Sequence, residues 1–232
     1  MSRGQSSVVG VALLVAVTVV ALAGMTAAVG TVLEDRADAA TADRAAVAFE
    51  EALAPTGRGQ SRERVALPGG DVRVAERSVR VLGSDGTVVT YRTNALVYDA
   101  DGRRAVYENG AVLRVGSGGA SVEGDRPVRV SDGHVFVSVV VLGAAPGEGS
   151  TAESVTLRTN ATHADRTLEA GDYRVAVETA APDARAERLA AVGTTTRRDV
   201  DGDGVPSVVV DPAGSGPTHV LVHRLRLEVT AG

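Results

Sequence analysis

Between Gln5 and Leu33 the chain runs for 29 residues without a charged side chain, whereas all 29 acidic residues and 23 of the 24 basic ones lie at or beyond Glu34. Val8 to Leu33 alone makes 26 consecutive uncharged residues, about 39 Å as a helix, which exceeds a hydrocarbon core of roughly 30 Å. A secretory signal has a shorter apolar region of about 7–15 residues before its cleavage site. Residues 5–33 are therefore expected to form a transmembrane helix. The competing expectation is a secreted hydrolase released near Ala28, for which Ala21, Ala23, Ala27 and Ala28 supply small residues. Arg3 on one flank and Glu34, Asp35 and Asp38 on the other favour an amino terminus inside and a carboxyl terminus outside. Gly10, Gly24 and Gly30 are small enough for such helices to approach one another closely.

Beyond Leu33 the chain has an ordinary polar composition. The whole protein carries a formal charge of -5, and from Glu34 onward 23 basic residues face 29 acidic ones. That balance excludes a basic nucleic-acid binder and leaves no polybasic patch for anionic lipid. All 24 basic residues are Arg, with no Lys, Ile or Trp and only three Asn. This is the imprint of GC-rich codon usage, so no function is drawn from the Arg count. The absence of Cys removes disulfide scaffolds, thiol catalysis and Cys-zinc sites.

The start Arg3-Gly4-Gln5-Ser6-Ser7-Val8-Val9-Gly10-Val11, leading into the apolar run, resembles the class III signal peptide of archaeal type IV pilins and archaellins. It is similar to the Ser-Pro-Val-Ile-Gly start of many haloarchaeal pilins, with Ser7 in place of the Pro. The resemblance covers about residues 1–35 and implies a four-residue leader, 1–4, cut between Gly4 and Gln5 by a prepilin peptidase on the cytoplasmic side. The helix then stays in the mature protein, first as an anchor and then as the core of a filament. The remainder resembles haloarchaeal secreted proteins that share this amino terminus, which implies location more than activity.

Residues 34–54 are Ala-rich, free of Gly and Pro, and place Phe49 and Leu53 four apart. The helix is expected to continue through them as a stalk until Pro55 and Gly57 stop it. Pilins have this shape, a long helix whose outer half packs on a β head; the same residues also fit an amphipathic stalk with no assembly role. Residues 55–64 are polar and read as a linker. From 65 to 232 the apolar period is two, as in Val72 and Val74 or Val79 and Val81, broken by Asp85-Gly86, Asp101-Gly102 and Asn109-Gly110. These dipeptides suit tight hairpin turns. Further strands are expected at 128–130, 134–142, 154–159, 173–179 and 219–230, with Gly-rich separators at 116–119 and 143–149 and one short helix at 183–192 behind Pro182. The fold class expected is α+β: a long amino-terminal transmembrane and stalk helix, then a mainly antiparallel β-sandwich-like extracellular domain with one short helix.

Asp199-Val200-Asp201-Gly202-Asp203-Gly204 matches D-x-D-x-D-G, the opening of a calcium loop in which alternate carboxylates converge and Gly permits a sharp turn. Asp199, Asp201 and Asp203 are the candidate Ca²⁺ ligands, weighed against a solvated acidic turn. The twelfth position is Val210 rather than Glu, with Asp211 one place later as the substitute. Asn160-Ala161-Thr162 is a glycosylation sequon expected in a surface turn just after a strand. His219 and His223 share a strand face but lie about 13 Å apart along it, too far to share one metal, and a structural or exposed role is expected. His134 and His163 show no partner in the sequence.

No nucleophile elbow, P-loop or His-Glu-x-x-His pattern is present, so no catalytic residue is assigned and no cofactor is required, with Ca²⁺ the one ion considered. The function expected is a pilin-like, membrane-anchored surface structural protein, a minor subunit of a type IV pilus-like filament. Its partners would be membrane lipid, prepilin peptidase and other pilin-like subunits, with no nucleic acid. The alternative is a single-pass anchored extracellular β domain that binds a ligand or calcium and never polymerises.

Overall fold

The structure is a computed structural model and describes residues 17–21, 25, 37, 39–53, 59–67, 69–124, 126–143, 147–151 and 154–231. It divides into two units, Met1–Ala40 and Thr41–Gly232. In the first, residues 17–21 are helical, and Val17, Val19, Val20 and Met25 are exposed. Among the described residues no helix is long and apolar enough to cross a membrane; the expected transmembrane segment 5–33 lies largely outside them.

The second unit is mainly β. Its strands are β1 (Gly59–Ala66), β2 (Asp71–Gly83), β3 (Gly86–Ala100), β4 (Arg103–Glu108), β5 (Ala111–Gly116), β6 (Gly119–Gly124), β7 (Val128–Ser131), β8 (His134–Gly143), β9 (Gly147–Thr151), β10 (Ser154–Leu168), β11 (Arg174–Glu178), β12 (Gly193–Arg198), β13 (Ser207–Pro212) and β14 (Thr218–Ala231). Among the described residues they form a five-stranded sheet, β1-β10-β14-β8-β7, and a nine-stranded sheet, β12-β13-β11-β2-β3-β4-β5-β6, with β9 on β2. Pairing is antiparallel except between β14 and β8, which run parallel. The helices are α1 (residues 39–53) and α2 (Pro182–Leu189).

The turns depend on residues that tolerate positive φ. Asp101-Gly102, Asn109-Gly110 and Asp132-Gly133 each have φ above zero at both positions, the type I′ geometry that matches strand twist. At the first hairpin the turn residues are Ser84 and Asp85 rather than Asp85-Gly86. Gly86, at φ 121°, opens β3 opposite Gly83, past a register irregularity at Val81/Leu82.

Two apolar clusters hold the sheets together. In one, Val79, Val81, Val175, Val177, Val208 and Val210 of the larger sheet meet Val128, Val135, Val137, Val139, Val220 and Val222 of the smaller, branched side chains that pack well on pleated surfaces. In the other, Ala45, Ala46, Phe49, Ala52 and Leu53 of α1 pack with Leu96, Tyr98 and Tyr107 on one side and Leu142, Leu157 and Leu225 on the other. The buried set along β8 changes at Val139/Val140, from 135, 137 and 139 to 140 and 142. Opposite faces of the small sheet are therefore buried at its two ends.

That switch is held where β7 no longer covers the edge of β8. Thr93 Oγ1 donates to the Val140 carbonyl at 3.0 Å and accepts from Leu142 N at 2.8 Å. Asn109 Oδ1 accepts from Val140 N at 2.8 Å, and Asn94 Nδ2 donates to the Leu142 carbonyl at 2.8 Å. Side chains of the larger sheet thus satisfy an edge that would otherwise be left unpaired.

Four expectations change. Part of the expected linker, 59–64, is strand β1, paired with β10 from Gly59↔Ala161 to Ala66↔Ser154 and clamped by Arg64 Nη2 on Ser154 Oγ at 2.9 Å; a polar edge strand carries no apolar alternation to betray it. β9 begins within the Gly-rich separator 143–149 and β6 at the last residue of the one at 116–119. β12 and β13 flank the acidic loop. The helix expected at 183–192 spans Pro182–Leu189, and Arg185 within it is fully buried against Glu108, with Nη2 3.3 Å from Oε1.

Candidate functional site

Ser78 and Arg80 sit on β2 with both side chains largely buried. β11 pairs with this stretch through Arg80↔Ala176 and Val79↔Val177, which brings Glu178 beside them. Ser78 Oγ donates to Glu178 Oε1 at 2.5 Å, and Arg80 Nη1 donates to the same oxygen at 2.7 Å. The other guanidinium nitrogen, Nη2, bonds to Asp201 in the loop before β13. Together these residues border a cleft of about 490 Å³ whose wall also includes Arg92, Asn94 and Asp203.

The loop is organised by Asp199. Its Oδ1 accepts from Gly202 N at 2.7 Å and its Oδ2 from Gly204 N at 2.9 Å, while Asp203 Oδ1 accepts from Val205 N at 2.8 Å. Gly202 and Gly204 adopt φ of 79° and 84°, which an L side chain would resist. The amides of Gly204 and then Gly202 hold the Asp199 carboxyl below its ordinary pKa, because hydrogen bonds to the charged form favour it.

Of the expected set Asp199, Asp201 and Asp203, the structure gathers Asp201 and Asp203 and sets Asp199 apart, both of its oxygens turned to its own loop. The third carboxylate is Glu178. One oxygen from each of Glu178, Asp201 and Asp203 lies within 4.8 Å of the others. Three oxygens are half or fewer of what calcium takes, and Arg80 already binds two of the three groups. The arrangement is a guanidinium-centred ion cluster that ties the acidic loop to β2 and β11. Val210, at the twelfth position, is buried in β13. Glu178 could not be found from the sequence, since the pattern is local and Glu178 belongs to a different strand.

Asn160 is exposed within β10 rather than in a turn, opposite Gln60 on β1 and Arg226 on β14. Its side chain lies on the same solvent side as Arg158 and Thr162, and glycan access there depends on that open face. Gly4 and Gln5, the expected processing site, lie outside the described residues.

The histidines are brought together in a way the sequence hid. His163 and His223 are register partners across β10 and β14, with Nδ1 atoms 2.7 Å apart. His134 Nδ1 lies 3.2 Å from His219 Nε2 across β8 and β14. His219 and His223 border a cleft of about 560 Å³ with Phe136, Arg126, Arg129 and Arg166.

Fold and site define a two-sheet β domain with a helix packed into its core and an ion cluster locking one loop. The chain belongs to a family of unknown function, DUF7289, whose model matches residues 3–228. No curated protein and no solved structure matches it.

Proposed function

We propose that the protein is a pilin-like, membrane-anchored surface protein. Its uncharged amino-terminal segment anchors it and enters a type IV pilus-like filament as a minor subunit, while its β domain faces outward. The observation that carries this reading is the continuity in sequence between the uncharged run 5–33 and α1, whose Ala45, Ala46, Phe49, Ala52 and Leu53 are buried in the β core. An apolar amino-terminal segment followed in sequence by a helix packed on a β head is the pilin plan. Val17, Val19 and Val20, helical and 59–72% exposed, support it, because such a surface is stable against lipid or neighbouring helices rather than water. The family match begins at residue 3, so the amino-terminal segment and the β domain belong to one family unit.

In this reading neither catalysis nor a cofactor takes part. The partners are membrane lipid, a prepilin peptidase and other pilin-like subunits, with the β domain outside the cell and Asn160 available for a glycan. The test is intact mass and amino-terminal sequencing of protein purified from its native membrane. A start at Gln5 is expected, and a mass excess lost in Asn160→Gln would locate a glycan. A start at Met1 or Ser2 would instead favour an anchored domain that does not polymerise, and a start near Val29 would remove the membrane anchor altogether.

A further inference from the structure

All four histidines of the chain lie on one face of the five-stranded sheet. Along β8, Val135, Val137 and Val139 turn inward and His134, Phe136 and Ser138 outward; along β14, Val220 and Val222 turn inward and His219, Leu221 and His223 outward. Strand alternation then sets His163 of β10 on the outward face through its pairing with His223. In a chain with so few imidazoles, their collection into two cross-strand couples concentrates the available nitrogen ligands at two points.

We propose that these couples are binding sites for a borderline divalent cation of the Zn²⁺, Ni²⁺ or Cu²⁺ class, one ion at His163/His223 and one at His134/His219, with water completing each shell. The spacing carries the argument. Two imidazole nitrogens bound at about 2.0 Å are separated by about 2.8 Å at a right angle and about 3.3 Å at the tetrahedral angle. The observed separations are 2.7 Å and 3.2 Å. The first matches the edge of a tetragonal site and the second that of a tetrahedral one.

The second couple also has an orienting group. Thr167 Oγ1 lies 3.2 Å from His219 Nδ1; with the hydroxyl accepting there, the imidazole keeps its proton on Nδ1 and directs the Nε2 lone pair toward His134. An outer hydrogen bond that sets the tautomer is a regular companion of metal-binding histidine. Ring stacking adds rigidity: Phe136 and His219 have centroids 5.1 Å apart, and His134 and His219 lie 9° from parallel. The couples are about 13 Å apart along β14, so they act as separate sites. The carboxylate cluster of Glu178, Asp201 and Asp203 offers only oxygen and suits a different class of ion.

The test is calorimetric titration of the full chain with Zn²⁺ and with Cu²⁺, and paramagnetic resonance of the Cu²⁺ form for nitrogen coupling. Wild type is expected to take up two equivalents. His163→Gln and His134→Gln should each lose one equivalent while leaving the other within about twofold in affinity, and the double variant should lose both. Asp201→Asn should retain both. These histidines are half-exposed, so unchanged melting of the variants establishes that folding is intact. Absence of uptake at about 100 µM ion, or full uptake by the double variant, would overturn the proposal.

Discussion

The hydroxyl of Tyr107 on β4 donates to the main-chain carbonyl of Leu53 at 2.7 Å, in the buried interior. Leu53 is the last described residue of α1, and the sheet holds its carbonyl. This bond ties α1 to the larger sheet across the core they share. Arg114 of β5 holds the other part of the helix, with Nε 3.0 Å from Asp43 Oδ1.

Removing that bond should weaken the domain without changing its shape. Tyr107→Phe keeps the ring but removes the buried hydrogen bond to Leu53, at a cost of about 1–2 kcal/mol. Phe49→Ala leaves a cavity in the fully buried helix face and should cost about 3–5 kcal/mol. Denaturant unfolding checks both: the midpoint should fall with an unchanged slope for Tyr107→Phe and fall further for Phe49→Ala.

Glu108 and Arg185 are almost completely buried, and Glu108 Oε2 also accepts from Ala180 N at 3.2 Å and faces Arg77 Nε at 3.5 Å. Burial pushes the Arg185 guanidinium below its ordinary pKa, with Glu108 opposing the shift. Breaking the pair by Glu108→Ala leaves a buried cation without compensation and should destabilise by about 3–5 kcal/mol. Replacing both, Glu108→Leu with Arg185→Met, should recover most of that loss. Thermal melting of the single and double variants measures it; equal losses in both would show that the charges, not their pairing, are needed.

The acidic loop should loosen in acid. The folded pKa of Asp199 is lowered, so its contribution is present above the ordinary value of 3.8 and is lost as pH falls through the folded value. Amide exchange at Gly202 and Gly204, corrected for intrinsic rates, should accelerate over that range in wild type. Asp199→Asn, which does not titrate there, should show no such acceleration; identical profiles would remove Asp199 as the cause.

Arg80 stands where a cation would stand among Glu178 and Asp201. Arg80→Met should destabilise the domain by several kcal/mol, about 3–5 on the scale of broken buried pairs, and speed exchange in residues 199–204. Added calcium, at about millimolar concentration as for weak extracellular sites, should raise the melting midpoint of Arg80→Met more than that of wild type. A shift of equal size in both proteins would locate the ion elsewhere.

Much of the β domain was legible because its signals are local. Asp101-Gly102 and Asn109-Gly110 announced turns that need positive φ, and Val79, Val81, Val135 and Val137 announced strands through their period of two. Pro182, the first residue of α2, announced its start. Strands without apolar alternation were missed: β1 is polar, β9 is Gly-rich, and β12 is Gly-Thr-Thr-Thr-Arg-Arg. Such segments become strands only because a neighbour offers an edge, as β10 does for β1.

The sequence by itself determined the uncharged amino-terminal run, the helical stripe ending in Phe49 and Leu53, the hairpin turns, and the acidic loop with its two glycines. Each depends on residues within a few positions of one another. Tertiary structure decided which groups meet. It joined Glu178 to Asp201 through Arg80, set His163 against His223 and His134 against His219, and reversed the buried face of β8 at Val140. These relations come from the register of strands distant in sequence and from the parallel pairing of β14 with β8. A slip of one residue would turn every side chain of a strand to its other face. Register is set by the summed burial of both sheets, which no local pattern encodes.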